Sequence, residues 1–167
     1  MHLSIVSWNV NAVKSKLANP RVQHFLCTHD VICLFELKTP LEINLPGYKT
    51  FRNHNTTNNH RGGCAILIKN YLQDNLQSIK SITSDTMLLK LNSTPSLTIA
   101  ACYLPPTDSP YYSVDGIASL QATIKENPDE YFVALGDFNA RGGRYNLCPR
   151  LTMISIPFYL CTKFHAC

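Results

Sequence analysis

Six residues with usable chemistry stand where apolar runs of the chain end. Asn9 and Asn11 follow "LSIVSW" (3–8), Glu36 follows "VICLF" (31–35), Tyr103 closes "SLTIAACY" (96–103), and Asp137 and Asn139 follow "YFVAL" (131–135). Each has an ordinary explanation when taken alone. Asn9 and Asn11 read as turn formers leading into a helix, and "GDFN" (136–139) reads equally as a turn. Glu36 can be an exposed residue after a buried strand, and Tyr103 a packing residue with a satisfied hydroxyl. Together they supply complementary functions. Two carboxylates and several amide oxygens are hard ligands that suit Mg²⁺, or Mn²⁺, and suit zinc poorly. A carboxylate not spent on a metal can act as a general base. A phenol and an amide can hydrogen-bond phosphate oxygens.

Placing these residues requires strands that end at one level. Short apolar runs bounded by turn residues predict strands at 3–8, 31–35, 64–69, 86–91, 96–103 and 131–135, with a short one at 48–51. A helix is expected from about Ala12 to Thr28, with a weak point at Asn19-Pro20, and another over 113–126. Residues 40–47 and the polar stretch "NHNTTNNH" (53–60) read as loops. Strands interleaved with helices and hairpins predict a mixed-sheet α/β protein. In open α/β sheets ligands sit beyond the carboxyl ends of the strands, where all six residues fall. Beyond Arg141 no clean period remains. The segment contains no acidic residue, although Arg141, Arg144, Arg150 and Lys163 are basic.

The 167 residues suffice for one domain with a real core, and 45% apolar with 16% charged residues exclude wholesale disorder. A net charge of +4, from 15 basic and 11 acidic residues, leans towards polyanionic partners. Seven cysteines form no C-x-x-C pair, and Cys33, Cys64 and Cys102 lie inside apolar runs, which favours a reducing compartment over a disulfide framework. Asn55-Thr56-Thr57 and Asn92-Ser93-Thr94 fit the glycosylation pattern, which counts only on a secretory route. "MHLSIVSWNV" lacks the basic and apolar regions of a signal peptide, and no run approaches membrane-spanning length. The expected location is the cytoplasm or nucleus, without a membrane partner.

The set "SWNVN" (7–11), "LFELK" (34–38), "AACYLPP" (100–106) and "ALGDFNA" (134–140), in this order, resembles the exonuclease–endonuclease–phosphatase superfamily. Within it, "RGGCAILIKN" (61–70), "IAACYLPPTDSP" (99–110) and "GDFNAR" (136–141) are similar to the apurinic-type endonuclease domain of jockey-like non-long-terminal-repeat retrotransposons. The similarity covers about residues 3–145. It implies a four-layered sandwich, two packed mixed β-sheets flanked by helices. It implies Glu36 as principal metal ligand with Asn9 and Asn11 beside it, and Asp137 deprotonating or orienting the attacking water. Asn139 would position Asp137 and the scissile phosphate, and Tyr103 would contact that phosphate. The reaction implied is Mg²⁺-dependent in-line hydrolysis of a DNA phosphodiester, leaving the 3′ hydroxyl that primes reverse transcription. The partner is DNA, and a reverse transcriptase domain is expected in the full element but absent from this chain.

Phe35 and Leu37 stand where relatives often carry polar residues, a mild departure. A larger one concerns the end of the chain. The family completes its site with a Ser-Asp segment and a terminal Asp-His pair, yet no Asp or Glu follows Asp137. His165 has no preceding acid. Residues 1–145 are therefore read as a partial endonuclease/exonuclease/phosphatase-like domain, incomplete at the C-terminus, and 146–167 as a divergent tail without an assigned domain. The chain is expected to be weak or inactive. Cys148, Cys161, His165 and Cys167 match no standard zinc spacing. The competing readings are a host apurinic-type repair nuclease or another phosphoesterase of the superfamily, and a non-catalytic remnant.

Overall fold

Apolar runs that are continuous rather than alternating predict strands covered on both faces. The computed structural model describes residues 2–53, 62–93, 96–106, 108–110, 112, 115–126, 131–139, 151–155 and 159–165, and such strands form its centre. The chain begins with β1 (His2–Asn9), α1 (Val13–Leu17), α2 (Pro20–Cys27), β2 (Val31–Phe35), β3 (Tyr48–Arg52) and β4 (Cys64–Lys69). A 3₁₀ helix (Asn70–Asn75) then leads into β5 (Leu76–Thr83), β6 (Thr86–Leu91) and β7 (Leu97–Tyr103). After α3 (Asp115–Glu126) come β8 (Tyr131–Asp137), β9 (Leu151–Ser155) and β10 (Tyr159–His165).

Two five-stranded mixed sheets result, ordered β10-β1-β2-β4-β3 and β5-β6-β7-β8-β9. Strands β1 and β2 run parallel, as do β7, β8 and β9; the other pairings are antiparallel. Strand β2 shows why its sequence does not alternate. Val31, Cys33 and Phe35 face the second sheet's Leu89, Ile99 and Leu135 in one buried cluster. Ile32 and Leu34 join Val13 and Leu26 of the helices in another. On the far side α3 lays Leu120 and Ile124 over Ala100, Phe132 and Ala134. The order is helix, sheet, sheet, helix, as the resemblance implies.

The single helix expected over Ala12–Thr28 is two helices. Asn19 is extended (φ −88°, ψ 118°), the conformation a following proline imposes, and its side-chain oxygen caps the new helix by accepting from the Arg21 N–H at 2.9 Å. Pro20 occupies the first helical position, where a missing N–H costs nothing. The 3₁₀ helix and β5 were not foreseen. Strand β5 is half-exposed, with polar residues breaking its apolar pattern. The tail without a readable period supplies two strands, with β9 beside β8 and β10 beside β1. The polar stretch 54–60 lies outside the described residues. No helix among the described residues is long and apolar enough to cross a membrane.

Candidate active site

Two parallel strand pairs, one from each sheet, end at the same place. In the first sheet Asn9 lies beside Phe35, and in the second Tyr103 lies beside Asp137. Asn9 bridges them. Its Nδ2 donates to Glu36 Oε1 at 3.1 Å and to Asp137 Oδ2 at 3.1 Å. One amide thus ties together carboxylates from two sheets. Its own Oδ1 accepts from the Asn11 N–H at 3.2 Å, which fixes the amide's orientation. The Tyr103 hydroxyl also reaches Glu36. Asp137 Oδ1 accepts from the Asn139 N–H at 3.0 Å, and Asn139 Nδ2 donates to the Leu104 carbonyl at 2.8 Å. All six sequence-identified residues therefore belong to one end of the sandwich.

Among the described residues the non-glycine positions with positive φ are Asn11 (41°), Ala12 (80°), Glu36 (53°), Lys38 (48°) and Asn139 (44°), all on the segments leaving β1, β2 and β8. Asn tolerates the left-handed region, but for Glu, Lys and Ala it costs about 1–2 kcal/mol each. Main-chain bonds hold the bends in place. Glu36 O accepts from Ala12 N at 2.9 Å, and the Leu37 and Lys38 N–H groups donate to Gly63 O and Gly62 O, each at 3.3 Å. Gly62 and Gly63, themselves at positive φ, give this segment its partner. Gly136 allows a close approach of β8 to β7, since a Cβ there would collide with the Cys102 carbonyl. Clustered strain of this kind is a mark of functional segments.

Lys38, which sequence reasoning passed over, lies inside the cluster. Its Nζ is 2.9 Å from Glu36 Oε2 and 2.5 Å from Asn11 Oδ1. Burial by itself would raise the Glu36 pKa. Hydrogen bonds from Lys38 and Asn9, the Lys38 charge and the Tyr103 hydroxyl outweigh it and hold the carboxyl below its usual value. The reverse applies to Tyr103. Burial, then the charge and hydrogen bond of Glu36, then Asp137 and Asp85 push its phenol well above the usual value, so it stays a proton donor. Asp85, also unforeseen, accepts the Tyr103 N–H through its carbonyl at 2.8 Å. The signal available for Lys38 was its place two residues after Glu36; for Asp85, in a Ser-Asp turn, there was none.

The oxygens facing a cation here are a Glu36 carboxylate oxygen and the Asn11 amide oxygen, already gathered about an ammonium. Hard oxygens converging on one positive charge fit Mg²⁺ or Mn²⁺. Among the described residues no three His, Cys, Asp or Glu side chains cluster as a metal site. Cys33, Cys64 and Cys102 are buried thiols, with burial pushing Cys33 and Cys102 up to about 12. The side chains of Cys148, Cys161, His165 and Cys167 lie outside the described residues. The backbone register sets His165 opposite His2, the end of β1 away from Asn9. Seven strand residues separate the two ends, roughly 23 Å.

Residues 6–154 match the model of the Endonuclease/Exonuclease/phosphatase family. Over 162 residues the chain is 30% identical to the RNA-directed DNA polymerase from mobile element jockey of Drosophila melanogaster, an alignment covering 91% of this chain and 17% of that protein. Among solved structures it is similar to the catalytic domain of Xenopus laevis APE2, with TM-score 0.65 and 19% identity over 83% of this chain and 59% of that one. It is also similar to the endonuclease domain of TRAS1, a telomere-specific non-LTR retrotransposon, with TM-score 0.55 and 17% identity over 85% of this chain and 63% of that one. The chain thus spans about a sixth of the polymerase and about three-fifths of these structures. At such identities the solved structures speak for the fold.

Proposed function

The chain belongs to the endonuclease/exonuclease/phosphatase family, and from that premise we propose that it is the DNA-nicking domain of a retrotransposon, hydrolysing a phosphodiester with Mg²⁺. The observation that carries the reading is the Asn9 amide joining Glu36 and Asp137, one from each sheet, with the other Glu36 oxygen, Oε2, turned to a cation, the Lys38 ammonium. Glu36, with Asn11 and Asn9 beside it, would hold the cation. When bound, the ion supplies charge stabilisation to the developing oxyanions.

The chain's own groups do the rest. Asp137 accepts the proton of the attacking water, whose oxygen bonds to phosphorus as the bond to the 3′ oxygen breaks. The Asn139 N–H keeps the Asp137 carboxylate aimed while its side chain anchors to Leu104 O. Tyr103, held as a neutral phenol, has one proton to offer, to Glu36 or to a phosphate oxygen. The 3′ oxygen leaves as an alkoxide, takes a proton from solvent water, and becomes the hydroxyl that primes reverse transcription. Lys14, Lys16 and Arg21 lie exposed on α1 and at the start of α2, directly after the site, and no acid occurs between residues 10 and 29. Such a surface fits a phosphate backbone. The 30% identity to a mobile-element polymerase favours this reading over a host repair nuclease, to which the likeness is in fold.

Nicking should be slow. No acid follows Asp137, and the register sets His165 at the end of β1 away from Asn9, so His165 is not an acid-held histidine facing the phosphate. Loss of one preorganised donor costs on the order of a hundred- to a thousandfold. The test is conversion of supercoiled plasmid to open circles with Mg²⁺, beside Asp137→Ala. Slow nicking abolished by that substitution is the expected result. Nicking that survives Asp137→Ala overturns the assignment.

A further inference from the structure

Lys38 Nζ contacts Glu36 Oε2 and Asn11 Oδ1, two of the hard oxygens assigned above to a divalent cation. The neighbouring polar atoms are committed elsewhere. Glu36 Oε1 and Asp137 Oδ2 accept from Asn9 Nδ2, Asn9 Oδ1 accepts from the Asn11 N–H, and Asp137 Oδ1 from the Asn139 N–H. Ammonium and metal ion therefore need the same two atoms. They cannot share them cheaply, because a divalent cation on Glu36 would face a like charge at contact range.

We propose that Lys38 is a built-in competitor for the divalent cation, its ammonium occupying the ligand pair and leaving it as the metal enters. The proposal rests on the reading of Glu36 as the metal ligand. Its physical means are on hand. The Lys38 backbone is held at φ 48° with its N–H on Gly62 O, so the loop itself stays still. The side chain is 36% exposed, and its flexible stem can carry the head into water. Glu36 and Asp137 together carry two negative charges and Lys38 returns one, so a neutral side chain at 38 leaves the full attraction to the metal. Lys38 in turn keeps two carboxylates from repelling each other when no metal holds them. The residue would set how much free Mg²⁺ the domain needs before it can act.

The experiment is Mn²⁺ binding to the whole chain, read by electron paramagnetic resonance of the free ion and by calorimetry, for the parent, K38M, K38Q and K38R. Circular dichroism checks that each folds. K38M and K38Q should bind at least about tenfold tighter, the size of one electrostatic pKa unit, and K38R should stay near the parent because it keeps the charge. Neutral variants that bind equally or more weakly overturn the proposal, as does K38R binding as tightly as K38M. Should both neutral variants unfold, Mg²⁺ titration of the parent decides: the Lys38 ε-carbon signal moves on saturation if the ammonium leaves, and an unmoved signal refutes displacement. Absence of Mn²⁺ binding in the parent and in every folded variant removes the metal reading of Glu36 itself.

Discussion

Strand β2 carries a carboxylate at each end, and the two have been put to opposite uses. Asp30, just before Val31, has Lys69 at 3.2 Å, the Tyr71 hydroxyl, and the Ser4 N–H on its Oδ2 at 2.8 Å. Glu36, just after Phe35, has Lys38, Tyr103 and Asn9. Acid, lysine and tyrosine recur at both ends. The difference lies in the backbone. Asp30 also exchanges main-chain bonds with Ser4 O and Lys69 N, at 2.8 and 2.9 Å, and is absent from the positive-φ positions. It is a clamp, tying three segments together. Glu36 is bent into the left-handed region, and although its carbonyl accepts the Ala12 N–H, its carboxylate receives only side-chain donors and shares one of them with a second carboxylate. Side chains can be exchanged for ligands, whereas main-chain bonds cannot be without unfolding the strand.

Exchange of one carboxylate for an amide at each end should separate these uses most widely. Glu36→Gln should lower the slow Mg²⁺-dependent nicking by about a hundred- to a thousandfold and weaken Mn²⁺ binding, with the urea midpoint close to the parent's. Asp30→Asn should do the reverse, costing about 1–2 kcal/mol of stability, the worth of partly screened hydrogen bonds to a charge, while nicking per folded molecule persists. An Asp30→Asn protein that folds normally yet fails to nick would break the comparison.

A smaller effect appears with pH. Both carboxyls have folded-state values below their ordinary 3.8 and 4.5. Burial opposes this at each end. The Ser4 N–H, Tyr71 and Lys69 overcome it for Asp30, and Lys38, Asn9 and Tyr103 for Glu36. A depressed value means the unfolded chain binds the proton more readily, so each contribution is complete above the ordinary value and fades as pH falls through the folded one. Chemical denaturation between pH 6 and pH 2 should show stability falling below about pH 4.5, with a shallower fall in Asp30→Asn and in Glu36→Gln. Unchanged slopes in both variants would remove these pairs from the account.

The smallest contrast is between the tyrosines. Tyr71 is 57% exposed, and its loss to Phe should change stability by less than about 0.5 kcal/mol. Tyr103→Phe deletes a half-buried donor to a carboxylate and should cost about 0.5–1.5 kcal/mol, measurable in the same denaturation series. Equal effects at both positions would mean that the two ends do not differ in how their hydroxyls are used.

The candidate site was legible because its residues end strands, and a polar residue after a buried run is visible without knowing how the strands pair. The six residues found that way converge through Asn9, which register alone could not have shown. Lys38 escaped because a lysine after a strand reads as solvated surface, and the bend that turns it inward depends on Gly62 and Gly63, twenty-odd residues away. Buried strands such as "VICLF" and "CAILIK" were plain from continuity, whereas β5, half-exposed, carried no period to read. The tail failed for a similar reason: it carries no clean period, and Pro157 interrupts its one apolar stretch.

The pairing of β10 with β1 places the first strand of the chain beside the last. The Asn9–Asp137 bridge likewise spans 128 residues of sequence. On a ribosome adding about 5–20 residues per second, β1 waits on the order of ten seconds or more for either contact. A nascent chain can dock β1 on β2 early, but the carboxylate pair comes into being only once the polypeptide through Asp137 has left the exit tunnel. Until then Glu36 is an acid with a lysine beside it and no second carboxylate across the sheets.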